Sequence, residues 1–227
     1  HDQPRGASLF IPEEDYGFYS LSALATIIFC ERGLPFLYQG QEIGMSNRQW
    51  KYDEFNDLET INQYQIALKA GMSKEQALEI ARHHSRDNAR TPMQWSSEDN
   101  AGFSKGKPWM PVNENYKVVN VAEEEKEYGS ILNFYKRLIA FYKSEEYNEI
   151  LTYGDFRPIY EKEDHIFAYS RSYGCQKLVL ICNFSSKEKD IELSEDYENV
   201  VFVNYEQTTV IGNTLKMKPY ECVIYEM

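Results

Sequence analysis

The 227-residue sequence contains no apolar run that approaches the roughly 20 residues of a membrane-spanning helix. It has no excess of basic residues either, since 24 Lys and Arg stand against 36 Asp and Glu, a formal net charge of −12. Phosphates of nucleic acids and anionic membrane surfaces attract basic proteins. The composition therefore argues against nucleic-acid and membrane partners, and predicts a ligand that is neutral or is another protein.

Cysteine is scarce, and its spacing argues against a metal site or a disulfide framework. No C-x-x-C pair occurs, and no histidines lie at zinc-site intervals from the cysteines. Cys30 lies in an apolar helical pattern, and two others lie in strand-like runs. We interpret all four as buried free thiols, as expected for a reducing, cytoplasmic compartment; they are Cys30, Cys175, Cys182 and Cys222.

Cofactor motifs are also missing. The sequence contains no P-loop, no G-x-G-x-x-G and no D-x-D-x-D-G calcium loop. We therefore expect no cofactor and no metal in this segment. The opening HDQPRGASLF has no initiator Met and no targeting segment, from which we expect that the chain was cut from something longer.

Apolar residues make up 42% of the chain and aromatic residues 15%, which is enough to bury a core in one or two domains. Leu21, Leu24, Ala25 and Ile28 recur at helical spacing and predict a helix over 16–31. The following Leu-Pro-Phe-Leu-Tyr at 34–38 predicts a short buried strand. A helix followed by an apolar strand is typical of α/β architecture with parallel strands.

Two further helices are predicted over 57–70 and 73–84, the second opened by a capping box of Ser73 and Gln76. A long polar segment with Gly and Pro follows, and such insertions between core elements are usually functional loops. Helical spacing returns over 129–144. After Asn148 the pattern consists of strands alone, which predicts an antiparallel sandwich of about 80 residues; the strand-like runs are 165–172, 177–184, 199–203 and 221–226.

Three motifs carry a family resemblance: HDQPR at 1–5, YQGQEIGM at 38–45 and RDNARTPMQW at 86–95. Together they resemble glycoside hydrolase family 13, in its oligo-1,6-glucosidase and α-glucosidase branch. The resemblance implies that residues 1–147 are the C-terminal part of a TIM (β/α)₈ barrel, with its last strand, its last helices and a long insertion at about 41–128. It implies an antiparallel β-sandwich domain over 148–227. The chain would then need a missing N-terminal barrel half as its partner.

The same resemblance implies the roles of the site residues. Retaining hydrolysis needs a nucleophilic carboxylate and a proton-donating carboxylic acid, which the family carries upstream of this segment. Asp2 would be the third catalytic carboxylate, stabilising the transition state at subsite −1, and His1 would bind sugar hydroxyls there. Any calcium site would lie in the missing part. The isolated chain is therefore expected to be inactive.

Arg86 would line the bottom of the −1 pocket, and Glu59 would bind substrate near subsite +1. Each has an ordinary structural alternative, since Arg86 can staple the insertion to the barrel and a charged residue often opens a helix. Arg90 is assigned to such stapling. Three aromatic residues of the insertion are interpreted either as sugar-stacking platforms or as the insertion's own small core; they are Trp95, Phe103 and Trp109.

The resemblance thus predicts part of a retaining α-glucosidase that hydrolyses short α-1,6- or α-1,4-linked gluco-oligosaccharides from the non-reducing end. Two alternatives stay open. Within the family, the parent could be a trehalose-6-phosphate hydrolase, whose phosphorylated substrate calls for Lys or Arg near subsite +1. Outside enzymes, the chain could be a non-catalytic carbohydrate-binding or structural fragment.

Overall fold

The computed structural model describes residues 1–194 and 199–227. Its helices, apart from short 3₁₀ turns, are α1 (Gly6–Phe10), α2 (Phe18–Cys30), α3 (Leu58–Lys69), α4 (Lys74–His84), α5 (Val121–Glu124), α6 (Ile131–Tyr142) and α7 (Asn148–Tyr153). Its strands are β1 (Asp155–Pro158), β2 (Ile166–Tyr173), β3 (Gln176–Asn183), β4 (Lys189–Glu192), β5 (Asn199–Val203), β6 (Thr209–Ile211), β7 (Thr214–Met217) and β8 (Cys222–Glu226).

The chain divides into two compact units, each assembled from two segments. The first unit comprises His1–Glu14 and Leu37–Asn133, and the second comprises Asp15–Phe36 and Phe134–Met227. Helix α2 and most of α6 thus group with the strands. The predicted domain boundary between 147 and 148 rests on the barrel and sandwich assignments, and stays a prediction.

In the first unit, α3 and α4 each begin directly after a residue that caps the helix. Asp57 caps α3 by accepting from the Thr60 amide at 3.2 Å. The predicted capping box of α4 is confirmed, because Gln76 N–H donates to Ser73 Oγ at 3.2 Å and Ser73 N–H donates to Gln76 Oε1 at 3.0 Å. Together with the loops around them, the two helices enclose a small core that is rich in aromatic residues. This core is formed by Trp50, Phe55, Tyr64, Ala77, Ala81 and Met110.

The prediction of a strand at 34–38 is wrong. The structure has no regular secondary structure there, and the Phe36 side chain is 82% exposed. A strand must exchange backbone hydrogen bonds with a neighbour, and no strand in the described part of the chain pairs with this segment. The apolar sequence of residues 34–38 thus predicts a buried segment, but in the described part of the chain most of these residues are exposed.

The second unit contains two antiparallel sheets, ordered β1-β2-β3-β8-β5 and β4-β7-β6. All four predicted strand-like runs are strands, within one or two residues at their ends. The four other strands, β1, β4, β6 and β7, were not predicted from sequence. The prediction of strands alone after Asn148 is wrong, because the helix α7 occupies Asn148–Tyr153 before the first strand begins. Both sheets contribute to one buried cluster, formed by Ala168, Val179, Ile181, Ile191, Leu215, Met217, Val223 and Tyr225.

The other face of the larger sheet is covered by α2, which explains why β3 is apolar on both faces. The Tyr169 hydroxyl donates to the Ile27 carbonyl at 3.0 Å, and the Arg171 guanidinium donates to the Cys30 carbonyl at 2.7 Å. Arg171 is 1% exposed, and it also donates to the Gly154 and Asp155 carbonyls at 3.0 and 3.3 Å. This side chain therefore ties α2, α7 and β1 together.

Three of the four cysteines are buried free thiols, as predicted, but Cys175 is exposed in the turn between β2 and β3. Burial raises the pKa of the Cys30 thiol to about 12. Cys182 and Cys222 lie directly opposite each other in β3 and β8. Among the described residues, no helix combines the length and the apolar character that crossing a bilayer requires.

Candidate active site

The three sequence motifs meet in the first unit, where Arg5 joins them. Arg5 is buried, and its Nε donates to the Asn88 carbonyl at 3.0 Å while Nη2 donates to Thr91 Oγ1 at 3.3 Å. Its Nη1 donates to the Gln39 carbonyl. One guanidinium thus connects the end of HDQPR to YQGQEIGM and to RDNARTPMQW.

Gly40 makes this close packing possible. Its φ of +85° lies in the left-handed region, and an added Cβ would lie 2.3 Å from Met45 Sδ and 3.1 Å from Arg5 Nη1. The 38–45 motif therefore needs glycine at this position, both for its backbone conformation and to leave room for the Met45 and Arg5 side chains.

The RDNARTPMQW motif is held from within by buried polar side chains. Asn88 accepts from the Arg48 amide at 2.9 Å and from Trp50 Nε1 at 2.6 Å. Asp87 accepts from the Asn56 and Asp57 amides at 2.7 and 2.9 Å. These bonds determine where the first turn of α3 lies relative to the motif.

Asp2 lies among basic side chains. Its Oδ1 is 3.3 Å from Arg86 Nη1 and 3.3 Å from Arg90 Nη2, and its Oδ2 is 3.3 Å from His1 Nε2. Arg90 also donates through Nε to the His1 carbonyl at 3.3 Å. The carboxylate is more than half exposed, so it is positioned by its neighbours and still open to a ligand.

Arg86 bridges Asp2 to Asp57, whose Oδ1 lies 2.8 Å from both Nε and Nη2 of the arginine. Asp57, with smaller contributions from Asp2 and Glu59, raises the pKa of the Arg86 guanidinium. Burial alone would raise the pKa of Asp57, but the hydrogen bonds from Arg86 and Thr60 together outweigh it and hold that pKa below its usual value. Asp57 is therefore a buried carboxylate whose hydrogen bonds hold Arg86 and the first turn of α3 in place.

These residues border a cavity of about 370 Å³, called here the first cavity. Asp2, Asp57, Glu59 and Arg86 lie on its wall. The rest of the wall comes mainly from one face of α3 and one face of α4, at helical spacings of three and four; it includes Thr60, Gln63, Tyr64, Ile80, Ala81 and His84.

The structure thus brings Asp2, Arg86 and Glu59 to one cavity. His1 contacts Asp2 but lines another cavity of about 230 Å³, with Arg5 and Gln41. Sequence reasoning missed the contact of Arg90 with Asp2, although the four-residue spacing of the two arginines was a usable signal. It also missed the contributions of Gln63 and His84, whose spacing on α3 and α4 could have indicated a shared face.

Trp95, Phe103 and Trp109 do not belong to the small core of the insertion. The Trp95 side chain is 51% exposed, and Phe103 and Trp109 are exposed as well. The interpretation of these three residues as that core is therefore wrong, because the core is formed by others, among them Trp50 and Phe55. The side chains that this insertion buries include those of Met110 and Gln94.

We expect Asp57→Asn to destabilise the chain by about 1 kcal/mol near neutral pH, because asparagine keeps the cap acceptor but loses the charge paired with half-exposed Arg86. The pKa of Asp57 is lower in the folded chain than in the unfolded chain. The contribution of its charge to the free energy of unfolding is therefore complete above the ordinary pKa of 3.8, and it is lost as the pH falls through the pKa of the folded chain. Urea unfolding at several pH values measures this. The difference from wild type should shrink toward zero in acid, whereas a difference constant down to acidic pH would contradict the pairing.

No group of three or more His, Cys, Asp or Glu in the described part of the chain is arranged to hold a metal ion. The prediction that this segment binds no cofactor stays a prediction.

Comparison with known proteins agrees with the motifs. The profile "Alpha amylase, catalytic domain" matches residues 1–154, and that of the "Alpha-amylase SusG C-terminal domain" matches 166–224. The chain belongs to the α-amylase family, glycoside hydrolase family 13.

Several relatives match over the whole chain. It is 40% identical to oligo-1,6-glucosidase of Bacillus cereus and 34% identical to glucan 1,6-alpha-glucosidase of Streptococcus pneumoniae, in each case over 100% of this chain. A crystal structure of trehalose-6-phosphate hydrolase from Bacillus licheniformis superposes with a TM-score of 0.91 at 37% identity and covers 100% of this chain. The chain spans only 41%, 42% and 41% of these three proteins, respectively.

Proposed function

We propose that residues 1–227 are the C-terminal part of a retaining α-glucosidase acting on short α-1,6- or α-1,4-linked gluco-oligosaccharides. In this proposal residues 1–147 complete a (β/α)₈ barrel and 148–227 form a β-sandwich. The observation that carries the proposal is the grouping of Asp2, Arg86 and Glu59 around one cavity. The matches to glucosidases that act on 1,6 linkages support the substrate class.

Asp2 would hold sugar hydroxyls at subsite −1, where charged hydrogen bonds strengthen as the ring flattens toward an oxocarbenium ion. His1 would bind a hydroxyl on the same side. Arg86 would keep Asp2 oriented and donate to the sugar, because a guanidinium can serve both with its fixed set of donors. Glu59, exposed on the first turn of α3, would contact the next sugar ring.

The first cavity offers no pair of groups that can complete the reaction. Retaining hydrolysis needs a nucleophile and an acid whose pKa is raised by apolar surroundings. Asp57 is already paired with Arg86 and Thr60, and Glu59 is solvated. We therefore propose that both groups come from the N-terminal barrel half, which the chain requires as a partner.

A trehalose-6-phosphate hydrolase is the second candidate, favoured by the similarity to the Bacillus licheniformis enzyme. The lining of the first cavity supports a neutral sugar instead. Three carboxylates line this cavity, and its Arg86 is already paired with two of them. A phosphate group would meet a negatively charged wall on which the arginine is already paired with carboxylates.

Cytoplasmic location and the absence of nucleic-acid and membrane partners stay predictions.

The proposal is tested with a fusion protein. The N-terminal part of the Bacillus cereus oligo-1,6-glucosidase, up to the point where its match to this chain begins, is joined in front of residues 1–227. We expect the fusion to hydrolyse isomaltose with retention of the anomeric configuration, followed by NMR, and the 227-residue chain to be inactive on p-nitrophenyl α-glucoside. Turnover by the chain alone would contradict the proposed division of catalytic groups. A folded fusion that cleaves trehalose 6-phosphate but not isomaltose would favour the second candidate, and one that cleaves neither would favour a non-catalytic fragment.

A further inference from the structure

A cavity of about 560 Å³ in the first unit is separate from the first cavity. We call it the second cavity. It is bordered by residues 53–56 and by the loop 107–116, and it shares no lining residue with the first cavity. Its volume falls within the range of about 300–1,000 Å³ that is usual for small-molecule sites.

Trp109 gives this cavity an aromatic wall. Its side chain is 76% exposed, whereas the neighbouring Met110 is fully buried. Pro108, Pro111 and Val112 line the same cavity as this ring, and contiguous exposed apolar surface, unlike a single exposed side chain, marks a candidate binding site. Pro108 on one side and buried Met110 on the other restrict the backbone that carries the ring, so this part of the loop has little backbone freedom to lose on binding.

The floor of the second cavity is built around Arg48, a guanidinium that is almost fully buried. It lies 2.6 and 3.2 Å from the two carboxylate oxygens of Glu54, 2.6 Å from Glu114 Oε1 and 5.0 Å from the Trp50 ring centroid. Its Nε donates to the Val112 carbonyl at 3.0 Å. This network fixes the loop that carries Trp109 against residues 53–56.

The same network supplies hydrogen-bond acceptors. The hydrogen bond from Arg48, above all, holds the pKa of Glu54 below its usual value despite partial burial. Glu114 is 61% exposed and has one oxygen beyond its contact with Arg48. Ionised carboxylates with unused lone pairs accept from the hydroxyl groups of a polyol.

The charges select against an anionic ligand. Three carboxylates and two cations line the cavity, and Arg48 already contacts two of the carboxylates. From the ring, the acceptors and this charge balance we propose that the second cavity binds a neutral oligosaccharide. One sugar ring packs its apolar face on Trp109, and its hydroxyls donate to Glu114. Because the argument uses none of the residues of the first cavity, it holds whether or not the proposed hydrolysis does.

The test is ligand binding by the 227-residue chain, measured with maltotriose and isomaltotriose by tryptophan fluorescence and by saturation-transfer NMR. We expect saturable binding with Kd of about 1 mM. Trp109→Ala should raise Kd by about tenfold or more, and Trp109→Phe by less. Trp95→Ala is the matched control, since Trp95 is also exposed but does not line this cavity, and it should bind as wild type does.

Glucose 6-phosphate serves as the anionic probe and should bind more weakly than glucose. Circular dichroism and melting temperature establish that each variant is folded. No binding by the wild type, binding that survives Trp109→Ala in a folded protein, or binding that Trp95→Ala weakens equally would each overturn the proposal. Tighter binding of the phosphorylated sugar would overturn the assignment to neutral ligands.

Discussion

Asp2→Asn, made in the fusion with the Bacillus cereus segment, is expected to lower kcat/KM for isomaltose by about a thousandfold or more, a loss of about 4 kcal/mol in transition-state stabilisation. Asparagine has nearly the same shape, but it carries no charge for Arg86 and Arg90 to orient. It also forms weaker hydrogen bonds to hydroxyls that gain positive character in the transition state. The loss should lie mainly in kcat.

The matched control is Asp190→Asn. Asp190 is also an exposed carboxylate and pairs with Lys216 in the smaller sheet, so its replacement should leave kcat and KM within twofold of wild type. Asp2→Asn activity within about tenfold of the parent fusion, with unchanged melting temperature, would show that Asp2 is not the catalytic carboxylate proposed here.

Arg171→Met is expected to destabilise the isolated chain by about 3–5 kcal/mol, a large share of the total stability of a small protein. Methionine fills a similar volume but donates no hydrogen bonds. The buried carbonyls of Cys30 and Gly154 would then have one donor fewer each, as would the partly buried carbonyl of Asp155, and an unmet buried carbonyl costs about 1–3 kcal/mol. Urea unfolding monitored by circular dichroism measures the change as a lower midpoint.

Arg157→Met provides the comparison, because Arg157 is exposed on β1 of the same sheet and should change the midpoint little. Arg171→Lys should lie between, since one ammonium group cannot reach three carbonyls in a fixed planar geometry. Equal midpoints for Arg171→Met and Arg157→Met would contradict the role given to Arg171.

Local signals were enough to predict the four longer helices α2, α3, α4 and α6, whereas the short helices α1, α5 and α7 were not predicted. Asp57, Ser73 and Gln76 act within four residues of their own positions, so the starts of α3 and α4 could be read from the sequence. The long apolar strands β2 and β3 were predictable for the same reason. The short strands β4, β6 and β7 depend on partners far along the chain, and their few residues carry too little periodicity to be recognised.

The candidate site divides in the same way. Motif resemblance identified Asp2, Arg86 and Glu59 as residues that would meet, and they do lie around one cavity. It could not show that Arg5 donates to backbone carbonyls of the other two motifs, because carbonyls carry no sequence signature. The exposure of Trp109 was equally hidden, since a tryptophan in a polar loop can be buried or presented depending on contacts such as that of Arg48 with Glu114.

The position of β8 determines the order in which the second unit can form during synthesis. This strand follows β3 and β5 in the sequence, yet it lies between them in the larger sheet. Until the ribosome releases Cys222–Glu226, β3 and β5 each have an open edge facing a gap, and open edges promote aggregation. A truncation before Cys222 would therefore remove an inner strand of the sheet and leave both of these edges exposed.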